Sequence, residues 1–246
     1  MKVSIITPTY NSEKFIEKTI QSIINQTYSN WELLITDDNS NDQTVSIINN
    51  YVINDKRIKL YKLKNNSGAG IARNNSISKS SGRFISFCDS DDQWKPTKLE
   101  KQIKFLIDNK LKFTYSSYDI HNENGDFVKK VNALDIMTYK ILLRNNYIGC
   151  LTAIYDKDAL GKMYMPAFRK RQDWLLWIEI LKIVGKTNGM KENLAIYCDR
   201  SNSISSNKFN MIKYNWIVYN KGLGFGVLKS IFLLINFLYY YAKKKI

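Results

Sequence analysis

The stretch Phe84–Trp94, FISFCDSDDQW, decides how the chain is read. Four of its first five residues are apolar, and Asp89, Asp91 and Asp92 follow within four positions. Like charges in one loop resist ionising together. A buried run that ends in such a loop calls for a neutralising group: a metal ion, basic side chains or solvent. If strand geometry persists to the end of the run, Asp89 and Asp91 face one side and Ser90 the other. Their Cβ atoms then lie roughly 7 Å apart, two strand rises. That spacing suits two carboxylates reaching one anionic ligand, one of them through a cation. Carboxylate oxygens are hard ligands that select Mg²⁺ or Mn²⁺, commonly together with phosphate oxygens. The expected ligand is a metal-bridged diphosphate. A solvated acidic turn is the plain alternative, and DSDD taken alone favours it.

The surroundings do more. Val3–Thr7 (VSIIT) is a short β-branched run, read as a buried first strand rather than a leader segment. Asn11 or Ser12 is placed to cap a helix whose apolar face is Phe15, Ile16, Thr19, Ile20, Ile23 and Ile24. WELLITDD is a second strand ending in Asp37 and Asp38, a helix follows over about 43–51, and Ile58–Leu63 is a third strand. After the turn NNSGAG a helix is expected from Ile71, then the strand FISFC. Pro96 sits where a helix can start, with Leu99, Ile103 and Leu106 on its buried face, and KFTYSSY is a fifth strand. Strands alternating with helices predict an α/β fold: a mostly parallel open sheet with helices on both faces. Such sheets bind ligands beyond the carboxyl ends of their strands. TPTYN, DDNSND and DSDD all fall there, so the acidic loop does not stand alone.

These segments resemble a family. VSIITPTYN, QSIINQTYSNWELLITDDNSNDQT, GAGIARNNSI and GRFISFCDSDDQWKPTKLEKQ are similar to the nucleotide-binding half of family-2 glycosyltransferases with the GT-A fold, a Rossmann-like half. The likeness is dense over residues 1–107, loose over roughly 112–170, and resumes at Arg171–Lys182, RQDWLLWIEILK. It implies that Thr7, Pro8 and Tyr10 line the pocket for the base. Asp38 would accept from the ring N–H of uracil, and Arg73 belongs to the segment closing over the nucleotide. In the D-x-D pair, Asp89 faces the ribose side and Asp91 ligates Mn²⁺ or Mg²⁺ between the phosphates. Asp92 extends the turn.

Transfer of a sugar also needs a base for the acceptor hydroxyl. From spacing alone, Asp173 reads first as an acid at the start of an apolar helix. The family carries its base in an E-D pair followed by L-W. Here Leu176 and Trp177 match, Gln172 replaces the Glu, and Asp173 takes the place of the base. Attack opposite the leaving group implies inversion at the anomeric carbon. From Asp173 onward Trp174, Trp177, Ile178 and Leu181 form an apolar stripe that Gly185 ends.

The rest of the sequence is plainer. The chain of 246 residues carries a formal net charge of +15. No acidic residue follows Asp199, and residues 201–246 hold seven lysines, nearly half the excess. Such a charge fits nucleic acid, an acidic membrane or anionic substrates. The expected crevice is acidic and no nucleic-acid module is recognisable, so nucleic acid is not expected as a partner. Cys88, Cys150 and Cys198 are far apart and show no zinc spacing; they read as small buried groups in a reducing, cytoplasmic protein. The single histidine, His121, lies in the expected polar turn DIHNENGD, away from every motif, and reads as a surface residue. Arg169, Lys170 and Arg171 fit a solvated basic face or a phosphate contact.

The chain closes on a run rich in aromatic and apolar residues. Its longest uncharged stretch, Ser230–Ala242, has 13 residues, against roughly 20 needed to span a bilayer. Lysines flank it, and anionic lipid attracts each by about 1 kcal/mol near the surface. It reads as an interfacial helix, or as one packed on the enzyme or on a second copy.

The expectation is a catalytic domain over 1–200, divided into a nucleotide-sugar half (1–115) and an acceptor half (116–200), with a basic helical tail over 201–246. The expected activity is inverting, metal-dependent transfer from a nucleotide-sugar donor, a UDP-sugar, to a hydroxyl of a glycan or lipid-linked saccharide. Resemblance places that activity in bacterial surface polysaccharide synthesis, with the enzyme peripheral on the cytoplasmic face of the inner membrane. Self-association is left open. The competing readings are a nucleotidyltransferase, for which TPTYNSEK is the wrong loop, and a basic binding protein without catalysis.

Overall fold

The computed structural model of the protein describes residues 1–200 and 208–243. The first half alternates as expected: β1 (Val3–Thr9), α1 (Ile16–Ile24), β2 (Trp31–Asp37), α2 (Thr44–Asn54), β3 (Ile58–Lys62), α3 (Ala69–Lys79) and β4 (Phe84–Phe87). Next come β5 (Gln93–Trp94), α4 (Lys98–Asp108), β6 (Phe113–Asn122), β7 (Phe127–Val131), β8 (Ile136–Thr138) and the single-turn α5 (Tyr139–Leu142). The chain continues through β9 (Ile154–Asp156), a short α6 (Lys157–Leu160), α7 (Gln172–Val184) and β10 (Lys186–Asp199). It ends in α8 (Lys208–Ile217), a π-helical turn at Val218–Gly222, and α9 (Val227–Lys243).

The main sheet runs β3-β2-β1-β4-β9-β6-β10-β5. Its first four strands are parallel. Strand β9 enters antiparallel between β4 and β6, and β10 runs parallel to β6. The β6–β7 pair is a hairpin turning at the expected NENGD. Strands β1, β2 and β4 are buried on both faces, and the edge strand β3 is only partly covered. Val3, Ile5, Leu33, Ile35 and Phe84 pack into one apolar cluster with α1, α2 and α4. Ile6, Leu34, Ile85 and Phe87 pack into the other with α3 and α7. Alternate residues of one strand therefore feed opposite layers, and the strands read as continuous apolar runs.

Three local expectations change. Neither Asn11 nor Ser12 caps α1; Phe15 occupies the cap position and makes no side-chain bond. Asn11 has a left-handed backbone (φ 45°), and the Ser12 hydroxyl turns to Ser90 instead, at 2.8 Å. Helix α3 begins at Ala69, two residues early, because Gly68 (φ 93°) supplies the backbone needed for its entry. Helix α7 is buried almost all round, beyond the expected stripe: Leu175, Leu176 and Ile180 are covered as well. Residues 201–207 and 244–246 of the expected tail lie outside the described residues. Within it, Val218, Tyr219, Leu233 and Phe237 join the cluster around α7.

Candidate active site

The carboxyl ends of β1, β2, β3 and β4 open on one edge, and the loops there carry most of the expected site. On β1, Thr7 and Thr9 are buried with no hydrogen-bond partner for either hydroxyl among the described residues, Pro8 is buried, and Tyr10 stands exposed. Asp38 follows β2 and is buried; one oxygen accepts from the Ser67 amide and the other from the Gly68 amide, both at 2.7 Å. It thereby anchors the loop that leads into α3. A carboxylate offers about four lone-pair sites, so two remain for a ligand donor. Asp37 has a different job: its oxygens accept from the Ser40 amide and hydroxyl and shape the loop.

The acidic turn departs from strand geometry. Strand β4 stops at Phe87, and the Asp92 amide closes a turn on the Asp89 carbonyl at 3.0 Å. Alternation therefore fails at the aspartates, and the three have different partners. Asp89 is held bidentately by Arg73 Nη2, at 2.6 and 2.7 Å. Asp91 pairs with Arg200 Nε at 2.7 Å, although that N–H is not aimed at the oxygen as in a hydrogen bond. Asp92 is buried and accepts from the Cys198 amide at 3.1 Å, while its carbonyl accepts from Thr19. Burial pushes the Asp91 carboxyl up to about 6; Arg200 opposes that shift and Asp89 adds to it. Burial, reinforced by Asp91 and Asp89, also raises Asp92. Both acids are short of compensation: Asp92 is fully enclosed and braces β10 through the Cys198 amide, whereas Asp91 opens onto a cleft where a ligand can reach it.

Arg73 ties this turn to α7. Burial opposes its charge, but Asp89 outweighs burial and the guanidinium is held above its ordinary range. Its Nη1 donates to Gln172 Oε1 at 3.2 Å, and the Gln172 amide group donates in turn to the Phe168 carbonyl. The fit is close: a Cβ added at Gly70 would meet the Gln172 side chain at 2.8 Å. A Glu at this position could not donate to Phe168 and would set a second carboxylate on Arg73. Asp173 is the next residue. It sits in the first turn of α7, half-buried, and accepts from Asn146 Nδ2 at 3.0 Å. Arg171 just before it is left-handed (φ 63°), which turns the chain sharply into the helix. A non-glycine residue there stores strain of order 1 kcal/mol. Asn146, Gln172 in its bridging role, and Arg200 were not singled out from the sequence. Arg200 was legible as the one cation beside Asp199 at the start of the acid-free tail; Asn146 gave no signal.

Other expectations meet the structure here. His121 lies on β6, not in the turn, and lines a small cleft with Asp91, Lys18 and Cys198. The three cysteines are free; Cys88 and Cys198 are buried as expected, Cys150 is only partly buried, and burial raises each thiol. No group of three or more His, Cys, Asp or Glu side chains forms a metal cage among the described residues. Asp91, a carboxylate with one misaligned partner that lines a small cleft, is a hard oxygen donor of the kind Mg²⁺ or Mn²⁺ accepts together with ligand oxygens, so the residues present fit such an ion.

The profile described as Glycosyl transferase family 2 matches residues 4–173. A Bacillus subtilis (strain 168) protein named for teichuronic acid biosynthesis, TuaG, is 38% identical over 245 residues, 99% of this chain and 97% of that one. The Escherichia coli UDP-Glc:alpha-D-GlcNAc-diphosphoundecaprenol beta-1,3-glucosyltransferase WfgD is 40% identical over 246 residues, 98% of this chain and 94% of that one. Among solved structures, S. aureus TarS 1–349 in complex with UDP superposes with a TM-score of 0.72 at 24% identity, over 97% of this chain and 71% of that 1–349 chain. The sheet and its helices are therefore of GT-A type, and the chain belongs to glycosyl transferase family 2.

Proposed function

We propose that this glycosyltransferase moves a sugar from a UDP-sugar to a hydroxyl of a lipid-linked saccharide, with inversion, in the synthesis of a bacterial surface polysaccharide. The observation that carries the reading is the unbroken chain Asp89–Arg73–Gln172, with Asp173 next in sequence. It links the acidic turn beyond β4 to the carboxylate at the start of α7, whose charge Arg73 also feels. The names of TuaG and WfgD support the substrate class, and TarS with UDP supports the nucleotide.

In this reading Thr7, Pro8 and Tyr10 receive the base, with Tyr10 the exposed member of the three. Asp38 accepts from the ring N–H with a remaining lone pair. Asp89, fixed by Arg73, faces the ribose. Asp91 would hold Mn²⁺ or Mg²⁺, which when bound supplies Lewis-acid stabilisation to the departing diphosphate. Asp173 takes the proton of the acceptor hydroxyl. The acceptor oxygen bonds to the anomeric carbon as the bond to the diphosphate oxygen breaks, and the nucleoside diphosphate departs from the far face. Asn146 orients the base, and the α7 packing holds it still. The acceptor's lipid puts the enzyme at the cytoplasmic face of the membrane.

The test is thermal stability with UDP, GDP, CMP and UTP, each with and without Mn²⁺. Ligand at a hundred times its dissociation constant stabilises by about 2.7 kcal/mol. A shift with UDP that needs Mn²⁺ is expected, followed by transfer from a UDP-sugar with inverted anomeric configuration by NMR. A response confined to UTP, with pyrophosphate release, overturns the reading.

A further inference from the structure

Helix α9 is apolar on two opposite faces. Ser230, Leu233 and Phe237 point into the core, where Phe237 lies 5.8 Å from the Trp174 ring beside the proposed base. The face turned away carries Leu228, Ile231, Phe232, Ile235, Leu238 and Tyr239, all exposed, with Leu228 at 84% and Phe232 at 63%. The spacing is helical and no charge interrupts it. Eleven residue rises make a stripe about 16 Å long. A helix apolar all round is normally covered on both sides.

Charge says what covers it. On one flank, between the stripe and the core, Lys229 rests over the Phe225 ring and Arg144 over the Tyr240 ring, at 3.7 and 5.0 Å. Neither makes an ion pair among the described residues. The sequence past Asp199 contains lysines and no acid, so two copies meeting through α9 across a twofold axis would set cation against cation. An anionic surface has the opposite property: it attracts these cations while its acyl boundary accepts the stripe. No helix of the described residues is long and apolar enough to cross a membrane.

We infer that the outward face of α9 docks in the plane of an anionic bilayer, with Lys229 and Arg144 at headgroup level. This names the surface behind the membrane placement proposed above and rests on that placement. Because α9 packs on Trp174, docking would hold the acceptor side of the site against the lipid surface.

The experiment is flotation of the full chain with phosphatidylglycerol or phosphatidylcholine vesicles at low and high salt, alongside light scattering and UDP binding. Wild type is expected to float with phosphatidylglycerol and to weaken with salt. The double variant Phe232→Ser/Ile235→Ser should bind about 100-fold more weakly, since each buried side chain of this size is worth about tenfold. Its UDP binding should be unchanged. Lys229→Glu/Arg144→Glu, which leaves the stripe intact, should lose the preference for anionic lipid. Wild type that stays with neither vesicle overturns the inference. So does a dimer that the Ser variant dissociates, which would make the stripe a protein interface. Loss of UDP binding with vesicle binding intact would count against the proposed function alone.

Discussion

The two ends of the same parallel strands treat a buried carboxylate in opposite ways. At the amino end, Glu32 on β2 accepts from Ser4, from the amide and hydroxyl of Ser81, and from Lys2, all within 2.9 Å. Burial alone would raise it, yet the hydrogen bonds from Lys2, Ser4 and Ser81 bring it down to about 2. At the carboxyl end, Asp91 has one misaligned cation and sits at about 6. The first charge is satisfied by the fold. The second is held ready for something the fold does not contain. Glu32, buried with full partners, marks architecture; Asp91, short of partners and lining a cleft, marks a candidate site.

Four substitutions sharpen or break that contrast. The largest effect is expected on rate. Asp173→Asn should lower transfer by about 10²–10⁴-fold while leaving UDP binding intact, read by single-turnover kinetics and calorimetry. An unchanged rate would move the base elsewhere.

Glu32→Gln should cost about 2–3 kcal/mol at pH 7, with no effect on the UDP and Mn²⁺ response. The sign follows from a folded value below the unfolded one. The ionised form is stabilised above about pH 4.5, and that stability is lost as pH falls toward 2. The variant should therefore show a flatter acid limb in denaturant titrations from pH 5 to pH 2.

Asp91→Asn should do the reverse. With its folded value raised, this acid loses stability as pH rises from about 4 through 6, so the neutral variant should gain on the order of 1–2 kcal/mol without metal at pH 7. It should also lose the Mn²⁺-dependent UDP shift. A less stable variant would make Asp91 structural and dissolve the contrast between the two ends.

The smallest effect is expected from Gln172→Glu. It removes the donor to Phe168 and divides Arg73 between two carboxylates. Donor KM should rise about three- to tenfold with a smaller change in kcat, since ground-state positioning is what is disturbed. An equal loss in both would assign Gln172 to the transition state.

The donor half was legible because its physics is local. Runs such as VSIIT and WELLIT are buried on both faces, so they are continuously apolar and end where the polar loops begin. The aspartates were found by type and position, but their geometry was not. The turn that separates Asp89 from Asp91 is set by Thr19, Ser12 and Cys198, residues far away in sequence. Strand β10 escaped reading altogether. KTNGMKENLAIYCD has no alternation because its pairing with β6 shifts register twice between Met190 and Ala195. Gly189 is there because a Cβ would lie 2.5 Å from the Leu134 carbonyl, a contact no local pattern encodes. The bridge from Arg73 to Gln172 spans 99 residues and is tertiary by nature.

The burial of α7 has a consequence in time rather than space. From Trp174 to Leu181 every side chain but Glu179 is buried, so the amides of this helix can open to solvent only when the whole domain does. The loops at Tyr10 and Asn65–Ser67 have no such cover. In hydrogen-exchange terms the proposed base rides on one of the slowest segments of the molecule, and the nucleotide is met by some of the fastest. Exchange mass spectrometry should find protection in α7 near the global limit and unchanged by UDP, with all the ligand-induced slowing confined to the donor loops.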